Sequence, residues 1–484
     1  MKGLNLWPNP NSCILRRSSS SKLNAVNRVS RPPSPVVRFH CSLSQRSLRC
    51  AVLGAGFAGL SVVWHLLKND RYIETRKVLQ SDRYLILQHS PKELDLRIDI
   101  YDEVGIGGGA SGISGGLLHP YSPKVNLLWE GAQCWKDSIK LLKVAEEASV
   151  SRDCKIGQSD ENVKAFAYQK RFNYILGILR LATNLKNMTK LNANVKTSLP
   201  SCRVDTLSKE AAQELVPGIC VPFDTAFYMP EALNIQSQNY LQALFWSCEN
   251  LVTESSTFDS GKKLLQLHRR PVNRLSEFDG EYDAVIICLG AKVNMLPEFS
   301  GRLPLRTCRG VIAHLELPDD ISEGYPERGP SILSDAWIAV KSPRELHVGS
   351  TWEWKSSNSS PSVSPDEASS ALTELLPKAS VIYPRIMNWD FTGARAGLRA
   401  MPPLTSLGSL PLLGCINDIM EGNQTCKYWL FGGLGARGLL YHGWLGNLMA
   451  HAVLSSDEGL IPLELTSWKN TIQFSDFNKQ TEFH

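Results

Sequence analysis

Residues 49–67 read RCAVLGAGFAGLSVVWHLL, and few stretches restrict a fold as tightly. Residues 50–53 are a short apolar run suited to a buried strand. Gly54, Gly56 and Gly59 follow with GxGxxG spacing, and an apolar segment of helix length comes next. Strand, glycine turn and helix in that order form the dinucleotide fingerprint. Gly54 permits the tight turn, Gly56 lets a pyrophosphate meet the backbone, and Gly59 lets the helix pack on the strand. The phosphates then face a helix N-terminus, where free N–H groups and the helix dipole favour anions. The motif predicts an α/β, Rossmann-like nucleotide domain.

The fingerprint also calls for an acidic ribose ligand at the end of the second strand, ~20 residues further on. The best strand-plus-acid is IDIYDE, which puts Asp102 forty-three residues beyond Gly59, with Glu103 as the alternative. Residues 69–97 are polar and poorly periodic and read as an insertion; within them YLILQ, 84–88, is strand-like but ends without a carboxylate. Directly after Asp102 comes GIGGGASGISGG, 105–116, with seven glycines in twelve positions. Glycine-rich tracts are often linkers, but this one begins three residues after the proposed ribose ligand. It is read as a loop against which a cofactor lies.

Charge is distributed unevenly. The first fifty residues carry nine Lys or Arg, no acid and ten serines, so the +5 of the whole chain leaves −4 for the remainder. A mildly acidic body argues against a strong nucleic-acid footprint. The Arg- and Ser-rich start lacks an apolar core and has the composition of an organelle transit peptide, with VRFHCSLSQRSLRC placing cleavage near Cys41. The plastid is the expected address, the mitochondrion its main competitor, and a disordered cytosolic tail the bland alternative. No CxxC occurs and no His or Cys falls at zinc-ligand spacing, so no metal site is expected. The long apolar stretch 428–454 is interrupted by Arg437, His442 and His451, which favours a buried helix over a membrane span.

Two later segments repeat the strand-and-glycine logic. YDAVIICLGA predicts a strand over 284–289 ending at Gly290, with Val272 upstream where an edge strand offers backbone groups to an adenine. YWLFGGLGARGLL predicts a strand over 428–431, a turn over 432–435 and a helix from about Ala436. A second helix N-terminus aimed at one cofactor suits a flavin, whose reduced ring is negative. Between these segments, residues 393–414 hold Arg395 and Arg399 with almost no other charge. They read either as structural arginines capping carbonyls or as a planar fork for a substrate carboxylate.

Taken together, GAGFAG, GASGISGGLLHPYSPK, YDAVIICLGA, GLRAMPPLTSLGSLPLLG and FGGLGARGLL resemble the FAD-dependent oxidoreductases of the D-amino-acid-oxidase and glycine-oxidase superfamily. The nearest likeness is to the oxidase domain of the bifunctional bacterial enzyme that builds methylaminomethyl-thiouridine in tRNA. The likeness runs from about Cys50 to Leu454; the methyltransferase half is absent and the insertion 69–97 is extra. It implies an FAD domain in discontinuous segments (50–154, 235–302, 391–460) and an α+β substrate domain with a mainly antiparallel sheet (155–234, 303–390). A leader, 1–49, and a tail, 461–484, flank them.

The resemblance further implies that Gly54, Ala55, Gly56, Phe57, Ala58 and Gly59 hold FAD phosphates and that Asp102 holds ribose. Val272 and Gly290 would lie by the dinucleotide, and Ala110, Ser111 and Gly112 against phosphate and flavin. Gly435, Ala436, Arg437 and Gly438 would face the pyrimidine edge of the ring. Arg399 matches the carboxylate-binding arginine, and Arg395 a second arginine of the tRNA-modifying relative alone. The chemistry implied is removal of hydride from an amine to the flavin, followed by imine hydrolysis. No His or carboxylate presents itself as a base, and His119 reads as structural. Three functions follow: an oxidase of a small carboxylated amine or amino acid, oxidation of a carboxymethyl group on tRNA wobble uridine, or a flavin-binding protein without turnover.

Overall fold

The computed structural model describes residues 47–69, 94–155, 175–255, 261–420 and 424–470. The leader 1–46, the strand-like run 84–88 with the rest of 70–93, residues 156–174 and the last fourteen residues lie outside the described residues.

Alternation along the predicted first strand builds the centre of the molecule. In Ser47–Leu53, Cys50 and Val52 enter one core cluster, while Ala51 and Leu53 enter another on the opposite face. All four are fully buried, as a parallel strand covered on both sides requires. It pairs in parallel with Asp95–Tyr101 and with Ala284–Ile287, Cys50 standing opposite both Ile98 and Ala284. Among the described residues the sheet has six strands, in the order Leu412–Cys415, Lys427–Gly432, Ala284–Ile287, Ser47–Leu53, Asp95–Tyr101, Lys263–His268. Only the Leu412–Cys415 edge strand is antiparallel. Strand order reverses between Ser47–Leu53 and Ala284–Ile287, the place where open parallel sheets leave a crevice for ligands.

The helix Phe57–Lys68 returns over one face, buried from Phe57 to Leu67. A Cβ on Gly59 would lie 1.9 Å from the Gly54 carbonyl oxygen, so only glycine lets helix and strand approach this closely. Helices Ser237–Ser255 and Gly438–Ser455 pack against it, and Gly131–Lys155 packs on those two. Ser61 Oγ donates to the His442 carbonyl at 2.7 Å, and His65 Nε2 lies 3.0 Å from that of Gly443. Gly438–Ser455 is the expected buried helix, although it starts two residues later than Ala436. No described helix is long and apolar enough to cross a membrane.

The second sheet has ten strands and is mainly antiparallel. Residues 337–354 form Trp337–Ser342, Glu345–Gly349 and Glu353–Trp354. A helix runs over Pro365–Ser380, capped by Ser364 Oγ on Glu367 N–H with Asp366 and Glu367 in its first turn. One expected boundary moves. Residues 391–401 were assigned with the nucleotide sheet, but Asp390–Met401 pairs along the whole of Arg306–Glu316 in the large sheet. Leu117–Leu118, from the first segment, also joins the large sheet. The chain therefore crosses between the sheets at the glycine run and again near Met401.

Candidate functional site

A cavity of about 960 Å³ opens at the strand-order reversal and extends to the large sheet. At its first end the glycine run is clamped to the fingerprint turn. Asp102 Oδ2 accepts from Ala55 N (2.9 Å), and Oδ1 accepts from Val104 N and Gly105 N (3.0 and 2.8 Å). Gly107 N donates to the Ala55 carbonyl, and Ser111 Oγ accepts from Phe57 N at the start of the first helix. These bonds exclude a slack linker. A Cβ on Gly397 would come within 3.1 Å of Ala110 Cα, so the strand carrying Arg399 runs directly over the same loop.

Most of the predicted site residues meet in this cavity. Its walls include Gly54, Gly56, Phe57, Ala58, Asp102, Ala110, Ser111, Val272, Gly290, Gly435, Ala436, Arg437, Gly438 and Arg399. Ala55, Gly59, Gly112 and Arg395 are not part of them. Ala55 is engaged by Asp102, and Gly59 serves helix packing. A Cβ on Gly112 would lie 2.2 Å from the Gly107 carbonyl oxygen, so Gly112 closes the loop on itself. Arg395 is exposed on the Arg399 face of its strand and does not line the cavity. Val272 lies in an irregular stretch after the edge strand Lys263–His268 and not within a strand.

Arg399 fits the first of its readings, an arginine that caps a carbonyl, and it also lines the cavity. Its Nη2 donates to the Thr351 carbonyl (2.9 Å) and Nη1 to Ser350 Oγ (3.2 Å), while its guanidinium stacks 4.0 Å from the Trp352 ring centroid. Gly310 leaves the room, since a Cβ there would lie 2.4 Å from Nη2. Burial lowers the Arg399 pKa, so an anion in the cavity is the natural counter-charge.

Among the lining residues that the sequence reading missed are Arg180, Trp337 and Trp352. The signal for Arg180 was a lone cation in the apolar strand Ile175–Leu181. The indole of Trp337 lies where Cβ atoms on Gly115 or Gly349 would fall, at 2.8 and 2.4 Å, so those two glycines accommodate the ring.

His119 is buried beside the cavity, its Nδ1 accepting from Tyr121 N at 3.3 Å. Burial, and then the charges of Arg437 and Arg180, hold its pKa well below 6.5. It is neutral at physiological pH, its proton on Nε2. The pH profile of kcat/KM is therefore expected to show no limb near ~6.5, the ordinary histidine value. A limb there that vanished in His119→Gln would contradict this.

A cavity at the strand-order reversal, ending in a second helix N-terminus with Arg437 at its cap, suits an elongated anionic cofactor. Residues 49–452 match the model of the DAO family, the FAD dependent oxidoreductases. The chain belongs to this family. Its cofactor is FAD, and its α/β fold pairs a Rossmann-like sheet with a second, mainly antiparallel one. Glycine oxidase from Geobacillus kaustophilus is similar in structure, with a TM-score of 0.58 and 18% identity over 86% of this chain and 97% of that one. Iminodiacetate oxidase from Chelativorans sp. BNC1 has a TM-score of 0.58 and 18% identity over 86% and 98%. L-proline dehydrogenase from P. horikoshii has a TM-score of 0.60 and 13% identity over 88% and 98%. At these identities the likeness is one of fold. No match was found among curated proteins. The family's FAD fits the residues present: the first helix presents its N-terminus to the cavity, and small residues line the approach.

Proposed function

We propose that this FAD dependent oxidoreductase oxidises the C–N bond of a carboxylated amine, with dioxygen as the simplest electron acceptor. The observation that carries this reading is Arg399, a half-buried cation on the cavity wall, braced by Thr351, Ser350 and Trp352. On this reading Gly54–Phe57 would hold the diphosphate of FAD, Asp102 its ribose and Val272 and Gly290 its adenosine end. Ala110–Ser111 and Gly435–Gly438 would hold the ring. When bound, the flavin accepts the electron pair and α-hydrogen of the amine, leaving an imine that water hydrolyses.

The chain's own part is positional. Arg399 holds the carboxylate, Trp337 closes the space above the loop, and neutral His119 supplies no cation to repel an amine. An amine bound neutral needs no enzymic base. Purified protein should show a flavin spectrum that bleaches anaerobically with amines bearing a carboxylate near nitrogen. A colourless protein that stays colourless with added FAD excludes the reading.

One observation favours a second reading, oxidative removal of a carboxymethyl group from tRNA wobble uridine. Trp352 and Trp354 stack at 5.9 Å, 48% and 44% exposed, with Arg306 over the latter, a platform on which a nucleobase can stack. Nucleoside mass spectrometry of organellar tRNA from a null mutant tests it: an unchanged wobble profile rejects it. The acid-free leader supports a plastid address, with the mitochondrion as alternative; a full-length fluorescent fusion decides between them.

A further inference from the structure

Leu333 pairs with Arg180 across the parallel strands Ser331–Leu333 and Ile175–Leu181, which brings Ser334 beside the arginine. Both Arg180 and Ser334 line the cavity. Nε of Arg180 and Oγ of Ser334 are sealed from solvent, and neither has a hydrogen-bond partner among the described residues. A buried polar group left unmade costs roughly 1–3 kcal/mol, more when charged. Two such groups at one end of one cavity point to a missing acceptor.

The local charge agrees. Arg437 stands close enough for the two guanidiniums to oppose each other, and exposed Asp335 offsets this only in part. Burial, followed by Arg437, pushes the Arg180 pKa down to about 10, so an anion placed there would relieve both effects. Arg399, by contrast, already has protein acceptors.

We infer that Arg180 and Ser334 form a second anion subsite, which takes a carboxylate or phosphate at the end of the substrate remote from the group held by Arg399. This rests on the proposed amine-oxidising reading and adds a length to it. Four strands separate those carrying Arg399 and Arg180. At roughly 4.8 Å per step a flat sheet would set them about 24 Å apart, an upper bound that curvature and two inward-reaching side chains shorten. The substrate is then longer than a simple amino acid: an amine with a carboxylate near nitrogen and a second anion several bonds away.

The test is a titration of the flavin absorbance of the full-length holoprotein with acetate, with α,ω-dicarboxylates from malonate to suberate, and with ω-phosphonocarboxylates of matching length. One of the longer dianions should bind at least about tenfold tighter than acetate, a difference of about 1.4 kcal/mol. Arg180→Gln should abolish that preference while leaving FAD content and acetate affinity unchanged, and Ser334→Ala should reduce it. Whether the carboxylate or phosphonate arm binds tighter identifies the second anion. If acetate binds but no dianion binds tighter, the subsite is absent and the amine reading stands. If no carboxylate perturbs the flavin, the amine reading itself fails and takes this inference with it. If Arg180→Gln loses FAD or shifts the spectrum without ligand, Arg180 serves the cofactor and the assignment is overturned.

Discussion

Arg399→Ala should keep its FAD and lose its substrate. A hydrogen-bonded contact to a charged group contributes about 1.5–3 kcal/mol. At about 1.4 kcal/mol per factor of ten, KM for a carboxylated amine should rise roughly 10- to 100-fold. The flavin spectrum should survive, because the fingerprint turn, the glycine run and Asp102 are joined by bonds that do not involve this arginine. Arg399→Lys separates charge from shape. It keeps the cation but loses the fork that reaches Ser350 and Thr351 together, so an intermediate KM is expected. Full activity of Arg399→Ala on every carboxylated amine tested would remove the anchor from the proposal. A fall in thermal stability without a change in KM would leave Arg399 its structural role alone, bridging Asp390–Met401 to the Thr351 carbonyl.

Local chemistry made the nucleotide half legible. GxGxxG, an acid closing the second strand and a crowd of small residues each have a mechanical reason that a short window reveals. Even the long insertion did not hide Asp102, because strand and acid remained adjacent. What stayed hidden depends on pairing between distant segments. Arg180 becomes a cavity residue only once its strand lies beside Ser331–Leu333. Arg395 and Arg399 share a strand and a face, yet the cavity reaches only the second of them. The misplaced boundary near 391 has the same origin: glycine and proline punctuation marks a turn but not which sheet the chain next joins. Trp337 and Trp352 become parts of a wall only in the folded sheet, since alternation assigns a face and not its neighbour.

Arg309→Met should be strongly destabilising although it lies away from the cavity: it leaves a quarter-exposed carboxylate and three carbonyls without their donor, at roughly 1–3 kcal/mol for each acceptor that water cannot reach. The Arg309 side chain is only 1% exposed, and all its N–H groups are used. Nε and Nη2 donate to the two oxygens of Glu367 at 2.6 and 3.2 Å. Nη1 donates to the carbonyls of Asn358 and Ser360, and Nη2 to that of Ser362. Sequence shows a Ser- and Pro-rich stretch that looks slack, whereas one guanidinium holds it. The position matters for the site as well as for stability. Arg309 pairs with Leu398, next to Arg399, and Ser359, Ser360 and Pro361 line the cavity. Loss of the arginine should therefore loosen that wall, raising KM as well as lowering the denaturation midpoint.

Acid should reproduce part of the effect. Arg309 holds the Glu367 carboxyl below its usual value of 4.5. A depressed carboxyl contributes stability above its unfolded pKa and loses it as pH falls through the lower folded one. The wild-type protein should accordingly lose stability below about pH 4.5, and Arg309→Met should lose less over that range. Urea midpoints across pH 3 to 7 measure both. Replacing the pair together, Arg309→Met with Glu367→Leu, removes the stranded carboxylate but leaves three carbonyls unmet, so recovery should be partial. Complete recovery would mean that the Asn358, Ser360 and Ser362 carbonyls find other donors, and that Arg309 serves only to neutralise Glu367.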